Sequence, residues 1–277
     1  MQTNTSENTK RPYKWKLFAL LWSLAIGASI LGIPFAQSLR SGSLAGTDTT
    51  PSISALILTT VLGNGIFFGP TIWIGLILSS RLGLGVPIIA GWLEKKPLGA
   101  RIPKVVFHSV VSGIVVSIVI LFIANYIFGP PWLSRLEAAG ISIPEIQPPA
   151  WQGFLVSITA GVREEILFRL FLLTLFAWIG SILRKKPNIL PPNWILWIAT
   201  LLAAVLFGFV HLPGTAAIGL PLDSLVITRA LVLNGLGGVV FGWLYWTRGL
   251  ESAILAHFSA DVVLHVVVPL IDQLSGI

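Results

Sequence analysis

Long apolar runs separated by short polar or basic stretches dominate the pattern of this 277-residue chain. A helix that crosses the hydrocarbon core of a bilayer needs about 20 predominantly apolar residues. Seven runs reach that length, and we predict that each forms a membrane-spanning helix. Their expected bounds are 15–38, 54–80, 105–128, 151–183, 193–212, 225–247 and 250–270.

Two stretches leave the number of helices between seven and eight. The sequence GNGIFFGP inside the second span contains glycines and a proline that could divide it into two pieces. The following stretch, RLGLGVPIIAGWLE, is compatible with a re-entrant segment or with a helix lying flat at the interface. Residues 130–150 are rich in proline, so we expect a loop with an interfacial piece there. The predicted fold is an all-α, polytopic transmembrane helix bundle.

The composition supports a membrane protein and excludes other classes. The chain is 55% hydrophobic and 10% charged, whereas a soluble domain carries about 25% charged residues. A net charge of +7 would suggest nucleic-acid binding in a soluble protein. Here the basic residues lie in short clusters between apolar runs, so we expect no nucleic-acid partner. The absence of cysteine from the sequence excludes disulfides, thiol nucleophiles and cysteine-ligated zinc.

The basic clusters indicate how the chain is oriented in its membrane. Loops rich in Lys and Arg tend to remain on the cytoplasmic side. The cluster at 10–16 predicts a cytoplasmic N-terminus, and alternation of the spans puts 95–104, 184–186 and Arg248 on the same side. We expect residues 1–14 to be a loose polar tail. The first apolar run is too long for a cleaved signal peptide, so we interpret it as an anchor.

Four charges lie within the fourth span, in the sequence GVREEILFRLFLL. Ionisable residues inside a span are costly and usually functional. Glu165 and Arg169 are four residues apart on a helix, so they share a face and should form an ion pair. Glu164 points about 100° away and needs a partner on another helix, a proton, a water molecule or a metal ion. A purely structural group of ion pairs is the alternative interpretation.

Histidines and an aspartate add further polar groups in the apolar spans. His211 ends the stretch FGFVH in the fifth span. His257 and Asp261 in the seventh span are four residues apart, so their side chains can face one cavity. His265 is a weaker candidate because the stripe drifts toward another neighbour, and we assign His108 to packing or the interface. Each histidine also has a structural interpretation, as a hydrogen bond that fixes the bundle.

The expected spans place these groups at different depths in the membrane. His211 lies near the outer end of its span, whereas His257 is only about two turns from the inner end of its own span. The two side chains can meet only if the helices are shifted or tilted, or if the fifth span runs past Pro213.

A carboxylate, two or three histidines and an aspartate are compatible with three functions. A Glu beside a His can deprotonate water while a second His donates to a developing oxyanion, which makes a hydrolase. The same groups could bind zinc or relay protons in a transporter. The first half of the chain holds almost no charge inside its spans, which argues against a transport path. The sequence has no HExxH or GxSxG motif, and no suitable pair of intramembrane aspartates.

Three motifs together resemble a known family. EEILFR at 164–169 matches E-E-x-x-x-R, FGFVH at 207–211 matches F-x-x-x-H, and HFSAD at 257–261 matches H-x-x-x-[ND]. In this order they are similar to the motifs of the CPBP family of CAAX proteases and bacteriocin-processing enzymes, also called Abi. The glycine-rich run before the last motif also resembles this family. The resemblance covers about residues 151–270.

The resemblance implies an intramembrane endopeptidase whose catalytic site lies inside the helix bundle. In the mechanism proposed for the family, a Glu and a His activate water, while a second His and an Asn or Asp stabilise the oxyanion. Carried over to this chain, the water-activating pair is Glu164 and His211, the oxyanion pair is His257 and Asp261, and the supporting pair is Glu165 and Arg169.

The aspartate that ends the third motif leaves part of the chemistry open. An ionised Asp cannot donate a hydrogen bond. Asp261 is therefore protonated, or it orients His257, or it ligates a metal. No cofactor is certain, and zinc held by Glu164, His211, His257 and Asp261 is left open.

The expected organisation is a tail at 1–14, an N-terminal transmembrane region at 15–150 and a CPBP-like catalytic transmembrane core at 151–277. The expected partner is a membrane-associated protein or peptide substrate, with a prenylated C-a-a-X protein as one option. The alternative function is a non-catalytic family member that binds a membrane partner, such as an immunity protein. Arg229 and Asn234 could line the cavity, although we favour the outer interface for the Arg229 side chain.

Overall fold

The computed structural model describes residues 13–41, 52–99, 101–141, 148–186, 189–217 and 219–275. These residues form helices joined by turns and short connections, and no strand occurs among them, which confirms the predicted all-α fold. In chain order the helices are α1 (Lys14–Leu39), α2 (Ile53–Leu82), α3 (Pro87–Leu93), α4 (Arg101–Ile127), α5 (Gly129–Ala138), α6 (Ala150–Leu183), α7 (Asn193–Ala217), α8 (Ser224–Arg248) and α9 (Leu250–Leu274).

Seven of these helices are long and apolar enough to cross a membrane, namely α1, α2, α4, α6, α7, α8 and α9. They coincide with the seven predicted spans, and most of their ends agree within a few residues. The largest difference is at the end of α7, which continues past Pro213 to Ala217. The extension is one of the conditions under which the polar groups of the fifth and seventh spans could meet.

The second span is one helix, although it contains Pro70. The following stretch forms the short helix α3 rather than a further span. The backbone N–H groups of Ile88 and Ile89 at the start of α3 both donate to Glu251 Oε1, at 2.8 Å each. Because Glu251 lies in the first turn of α9, this carboxylate joins α3 to the helix that carries the third motif.

The interfacial piece expected within 130–150 is the helix α5. Arg135 of α5 forms an ion pair with Asp223, which caps the N-terminus of α8 by accepting a hydrogen bond from the Val226 backbone. A small apolar cluster of Leu136, Ile141 and Leu220 supports the same junction. Residues 142–147 lie outside the described residues, as does most of the predicted tail.

Two of the motif helices change their winding directly after their motif residues. The segment Ile166–Leu173 of α6 is π-helical and follows the two glutamates. The segment Val263–Val267 of α9 is also π-helical and begins two residues after Asp261. In α7, a turn at Val210 and His211 separates two helical pieces. Such π-helical segments occur frequently at functional sites, and the apolar pattern of the sequence did not predict them.

Glycines bring α9 close to two of its neighbours. A Cβ at Gly153 of α6 would lie 1.9 Å from the His265 carbonyl oxygen, and a Cβ at Gly113 of α4 would lie 2.3 Å from the Ala256 carbonyl oxygen. Helices in lipid associate by close packing of small residues, since lipid removes the hydrophobic drive between them. These two contacts set the position of α9 between α4 and α6.

Candidate active site

The paired charges of the first motif lie in the interior of the bundle. Arg169 Nη1 is 3.0 Å from Glu165 Oε1, which is the ion pair expected from their spacing, and the two side chains are 1% and 0% exposed. Arg169 Nη2 donates to the Gly238 carbonyl oxygen at 3.1 Å. The guanidinium carbon also lies 4.8 Å from the ring centroid of Phe207 and 5.6 Å from that of Phe241. Arg169 is therefore surrounded by a carboxylate, a carbonyl and aromatic faces.

His257 of α9 joins this pair. Its Nδ1 is 2.8 Å from Glu165 Oε1, and its ring is stacked on Phe241 with centroids 4.7 Å apart. An ion-paired carboxylate can only accept a hydrogen bond, so Nδ1 carries a proton and donates it. The other ring nitrogen, Nε2, is then the atom available for chemistry.

Two further carboxylates lie near that nitrogen. Asp261 Oδ2 is 3.6 Å from His257 Nε2, and Glu164 Oε2 is 4.0 Å from it. The Glu164 side chain is 31% exposed, whereas that of Glu165 is fully enclosed. The two adjacent glutamates thus differ in access, because the Glu164 side chain is partly exposed, although its Oε2 is buried without a hydrogen-bond partner. The position of Asp261 supports the interpretation that it orients His257.

His211 approaches the same site from α7. Its Nδ1 lies 2.7 Å from the Phe207 carbonyl oxygen, and a carbonyl only accepts, so Nδ1 carries a proton and Nε2 is free. The Phe207 ring lies 4.9 Å from the His211 ring and 5.7 Å from the His257 ring. No hydrogen bond or ion pair joins His211 to Glu164 within the described part of the chain. The structure therefore brings His211 to the far side of Phe207, not into contact with the carboxylates.

Residues 146–263 match the family model described as type II CAAX prenyl endopeptidase Rce1-like. This region belongs to the CAAX protease family. The match includes all three motifs, which confirms the family recognised from them. No curated protein and no solved structure shows significant similarity to the chain. The match supports a CAAX-type intramembrane endopeptidase at family level for this region, and the seven long apolar helices support an integral, multi-pass membrane protein.

The motif side chains do not assemble a metal site in the part of the chain that the structure describes. Among the described residues, no three His, Asp or Glu side chains are placed to hold one ion together. His257 Nδ1 is engaged by Glu165, and the Phe207 ring contacts both histidines. Because the four proposed ligands do not converge, we derive no step through a metal. Zinc at Glu164, His211, His257 and Asp261 stays a prediction.

The remaining charge of the first motif has a partner that the sequence did not indicate. Arg163 Nη2 donates to Asn64 Oδ1 of α2 at 2.9 Å, and its guanidinium carbon lies 5.6 Å from the Phe68 ring centroid. Asn64 belongs to the GNG stretch that raised doubt about the second span. A polar side chain in an otherwise apolar span was the signal that could have predicted this contact.

The other histidines lie away from the site. The His265 ring packs 5.9 Å from that of Phe35, where α9 and α1 meet. His108 contacts its own helix, with Nδ1 2.6 Å from the Lys104 carbonyl oxygen. The structure thus leaves His257 as the histidine of α9 that meets the carboxylates.

A cavity of about 270 Å³ adjoins the site at His211. Arg229 and Asn234 of α8 line it together with Trp132 of α5, as the sequence allowed. The outer-interface position favoured for Arg229 stays a prediction. A cavity of about 570 Å³ lies elsewhere, around the connection from α2 to α3, and none of the motif residues lines it. The smaller cavity is therefore the one that concerns this family's chemistry.

Proposed function

We propose that this protein is an intramembrane endopeptidase that hydrolyses a peptide bond of a membrane-associated substrate with an activated water molecule. One observation carries the proposal, namely the unequal environments of the two adjacent glutamates. Glu165 is enclosed and engaged by Arg169 and His257, while Glu164 remains partly exposed beside His257. A purely structural group of ion pairs would give both carboxylates enclosed partners.

In this proposal Glu164 and His211 share the activation of water. Glu164 presents a carboxylate, and His211 presents a free Nε2 because its Nδ1 donates to the Phe207 carbonyl oxygen. Both groups accept protons, so a water molecule held between them loses a proton as it attacks the substrate carbonyl. Water is required as the link, since the two side chains are not in direct contact.

His257 supplies the complementary group in the proposed reaction. Glu165 holds its Nδ1, and Phe241 supports its ring, so the direction of Nε2 is set before substrate binds. A donor oriented in advance toward a developing oxyanion needs no reorganisation during the reaction. Asp261 beside the same nitrogen balances positive charge on the ring.

We further propose a lipidated peptide substrate, with a prenylated C-a-a-X segment as the first candidate. The description of the matching family as a prenyl endopeptidase supports this choice. A substrate anchored in the bilayer would reach a site enclosed by membrane-spanning helices from within the membrane. The positive-inside rule supports a cytoplasmic N-terminus for the same protein.

The test uses purified protein and a fluorogenic farnesylated C-a-a-X peptide. We expect wild type to cleave the peptide, and Glu164→Gln to lower the rate by about 10²–10⁴-fold, as for loss of a general base. The assay is repeated with a zinc chelator. A loss of activity that added zinc restores would establish a metal requirement, whereas an unchanged rate would support catalysis by side chains alone.

Absence of cleavage by wild type would favour the non-catalytic alternative. Glu164→Gln carrying a photo-crosslinking derivative of the same peptide distinguishes the two cases. Peptide captured by the variant but cleaved by wild type supports the endopeptidase. Peptide that both proteins capture and neither cleaves supports a membrane protein that only binds its partner.

A further inference from the structure

The cavity beside His211 lies at one end of the bundle. Its walls come from the end of α1 at Leu39, the end of α7 at Thr215 and the beginning of α8 at Val226. Successive spans alternate in direction, so this end is opposite the one with the basic clusters. We call this cavity the chamber, and His211 is the motif residue that lines it.

Arg229 is the charged residue of this chamber. Its guanidinium carbon lies 4.0 Å from the ring centroid of Trp132, so one face of the guanidinium rests on the indole. Its Nε is buried and makes no hydrogen bond. Within the described part of the chain, no carboxylate forms an ion pair with this side chain. Arg229 thus presents its N–H donors without an acceptor among the described residues.

The other two arginines near the site, unlike Arg229, have hydrogen-bond or ion-pair partners among the described residues. Arg169 is paired with Glu165, and Arg163 donates to Asn64. A cation inside a membrane span without a counterion is costly and is usually retained for function. A cation–π contact contributes roughly 0.5–2 kcal/mol, which is small compared with the free-energy cost of burying the charge. The described residues therefore leave Arg229 open to a partner such as an anionic group of the substrate.

The geometry indicates which chemical group that partner carries. A guanidinium presents its N–H donors in a planar fork that matches the two oxygens of a carboxylate. Asn234 lines the same chamber, and its Nδ2 donates to the Ala230 carbonyl oxygen, so its amide oxygen is an acceptor for a peptide N–H rather than a partner for the carboxylate. His211 lies in the same wall. A carboxylate bound here would be part of a peptide whose scissile bond lies near His211.

We propose that Arg229 binds a carboxylate of the peptide substrate and positions that peptide beside His211. This inference rests on the proposed endopeptidase function and adds a specificity-determining residue to it. The carboxylate is either the free C-terminus of the peptide or an acidic side chain near it. The same guanidinium would recognise both, and the experiment distinguishes them.

The experiment measures equilibrium binding of fluorescent farnesylated C-a-a-X peptides to the full chain in nanodiscs. Glu164→Gln is the background, so that no cleavage occurs during the measurement. Three peptides are compared: one with a free C-terminal carboxylate, its C-terminal amide, and an amide with aspartate at the last position. We expect the free acid to bind at least about tenfold more tightly than the plain amide, as for a charge-assisted hydrogen bond.

The variant Arg229→Gln should reduce that ratio to near one, and Arg229→Lys should retain part of it because the charge remains. Arg135→Gln is the matched control, since it removes an arginine from the same junction of α5 and α8 but not from the chamber. We expect the control to keep the ratio. Tight binding of the aspartate peptide would show that a side-chain carboxylate is accepted as well.

Three results would overturn the proposal. These are equal binding of acid and amide, an unchanged ratio in Arg229→Gln, and an equal loss in Arg135→Gln. Cleavage by wild type is scored separately, so the two ideas can fail independently. If the free-acid peptide binds more tightly than the amide but wild type cleaves no peptide, the carboxylate site is supported and the endopeptidase function is contradicted. If wild type cleaves the peptide but acid and amide bind equally, the endopeptidase is supported and the carboxylate site is contradicted.

Discussion

Two groups of charges lie next to each other in this bundle, and they differ in how their charges are met. The enclosed group consists of Glu165, Arg169 and His257, which contact one another and are almost inaccessible. The open group consists of Glu164, His211 and Arg229, which lie at a partly exposed position or along a cavity. The two groups thus differ in whether their side chains contact one another or face space that water and substrate can occupy.

The physical basis of this difference is the low polarity of the interior. An enclosed charge without a partner is strongly unfavourable, so Arg169 has a carboxylate, a carbonyl oxygen and aromatic faces around it. The open group lies at a partly exposed position or along a cavity, where water and substrate can supply partners. The same residue types therefore have different roles one position apart in the sequence.

The most direct test of the difference between the two groups is to neutralise each of the adjacent glutamates in turn. Glu164→Gln should lower peptide cleavage by about 10²–10⁴-fold with little change in thermal stability. Glu165→Gln should lower stability as well, by about 3–5 kcal/mol, since it leaves Arg169 enclosed without its counterion. Cleavage rates and thermal unfolding in detergent are measured on both variants. Equal stability of the two would contradict the division into enclosed and open groups.

A double-mutant cycle tests whether Glu165 and Arg169 of the enclosed group stabilise the protein as a unit. Arg169→Met should destabilise the protein by about 3–5 kcal/mol, because Glu165 loses its counterion. Combining Arg169→Met with Glu165→Gln should be less destabilising than the sum of the single changes, by roughly 1–3 kcal/mol. Unfolding in mixed detergent micelles measures all three variants. Strictly additive effects would show that the two side chains do not act as a unit.

A smaller effect is expected from the packing that holds the two groups together. Gly153→Ala places a methyl group against the His265 carbonyl oxygen, whereas Gly27→Ala meets nothing within 4 Å. The first change should cost about 1–3 kcal/mol through overpacking and reduce cleavage, because α9 carries His257. The second change is the control and should leave both properties unchanged. If Gly153→Ala kept full stability and activity, close packing of α6 and α9 would not position the site.

The smallest effect concerns an exposed ion pair outside the membrane-spanning helices. The hydrogen bond from the Val226 backbone, aided by the Arg135 charge, lowers the pKa of Asp223 below the usual aspartate range. A depressed carboxylate pKa stabilises the folded state above the unfolded pKa of about 3.9, and this contribution is lost as the pH falls through the folded value. The protection factors of amide hydrogen exchange in α5 should therefore decrease in acid.

Asp223→Asn is the matched variant for this last prediction. It keeps a residue able to cap the helix but removes the titrating charge. The protection factors in α5 should then be lower at neutral pH and nearly independent of pH in the acid range. An unchanged acid response in Asp223→Asn would assign that response to another group.

Several features of this protein were already present in the linear sequence. The apolar runs gave the seven spans because a bilayer imposes a minimum length on each helix. The spacing of Glu165 and Arg169 predicted their ion pair because a helix places residues four apart on one face. The three sequence motifs by themselves identified the family of residues 146–263.

Contacts between helices were decided only by the tertiary structure. The placement of Phe207 against both His211 and His257, the bond from Arg163 to Asn64 and the stacking of Arg229 on Trp132 join residues far apart in the chain. Periodicity describes which face of a helix is apolar, but not which neighbour that face meets or at what depth. Helix shifts, π-helical turns and glycine contacts set that depth. They determined that Glu165 is enclosed while Glu164 stays accessible.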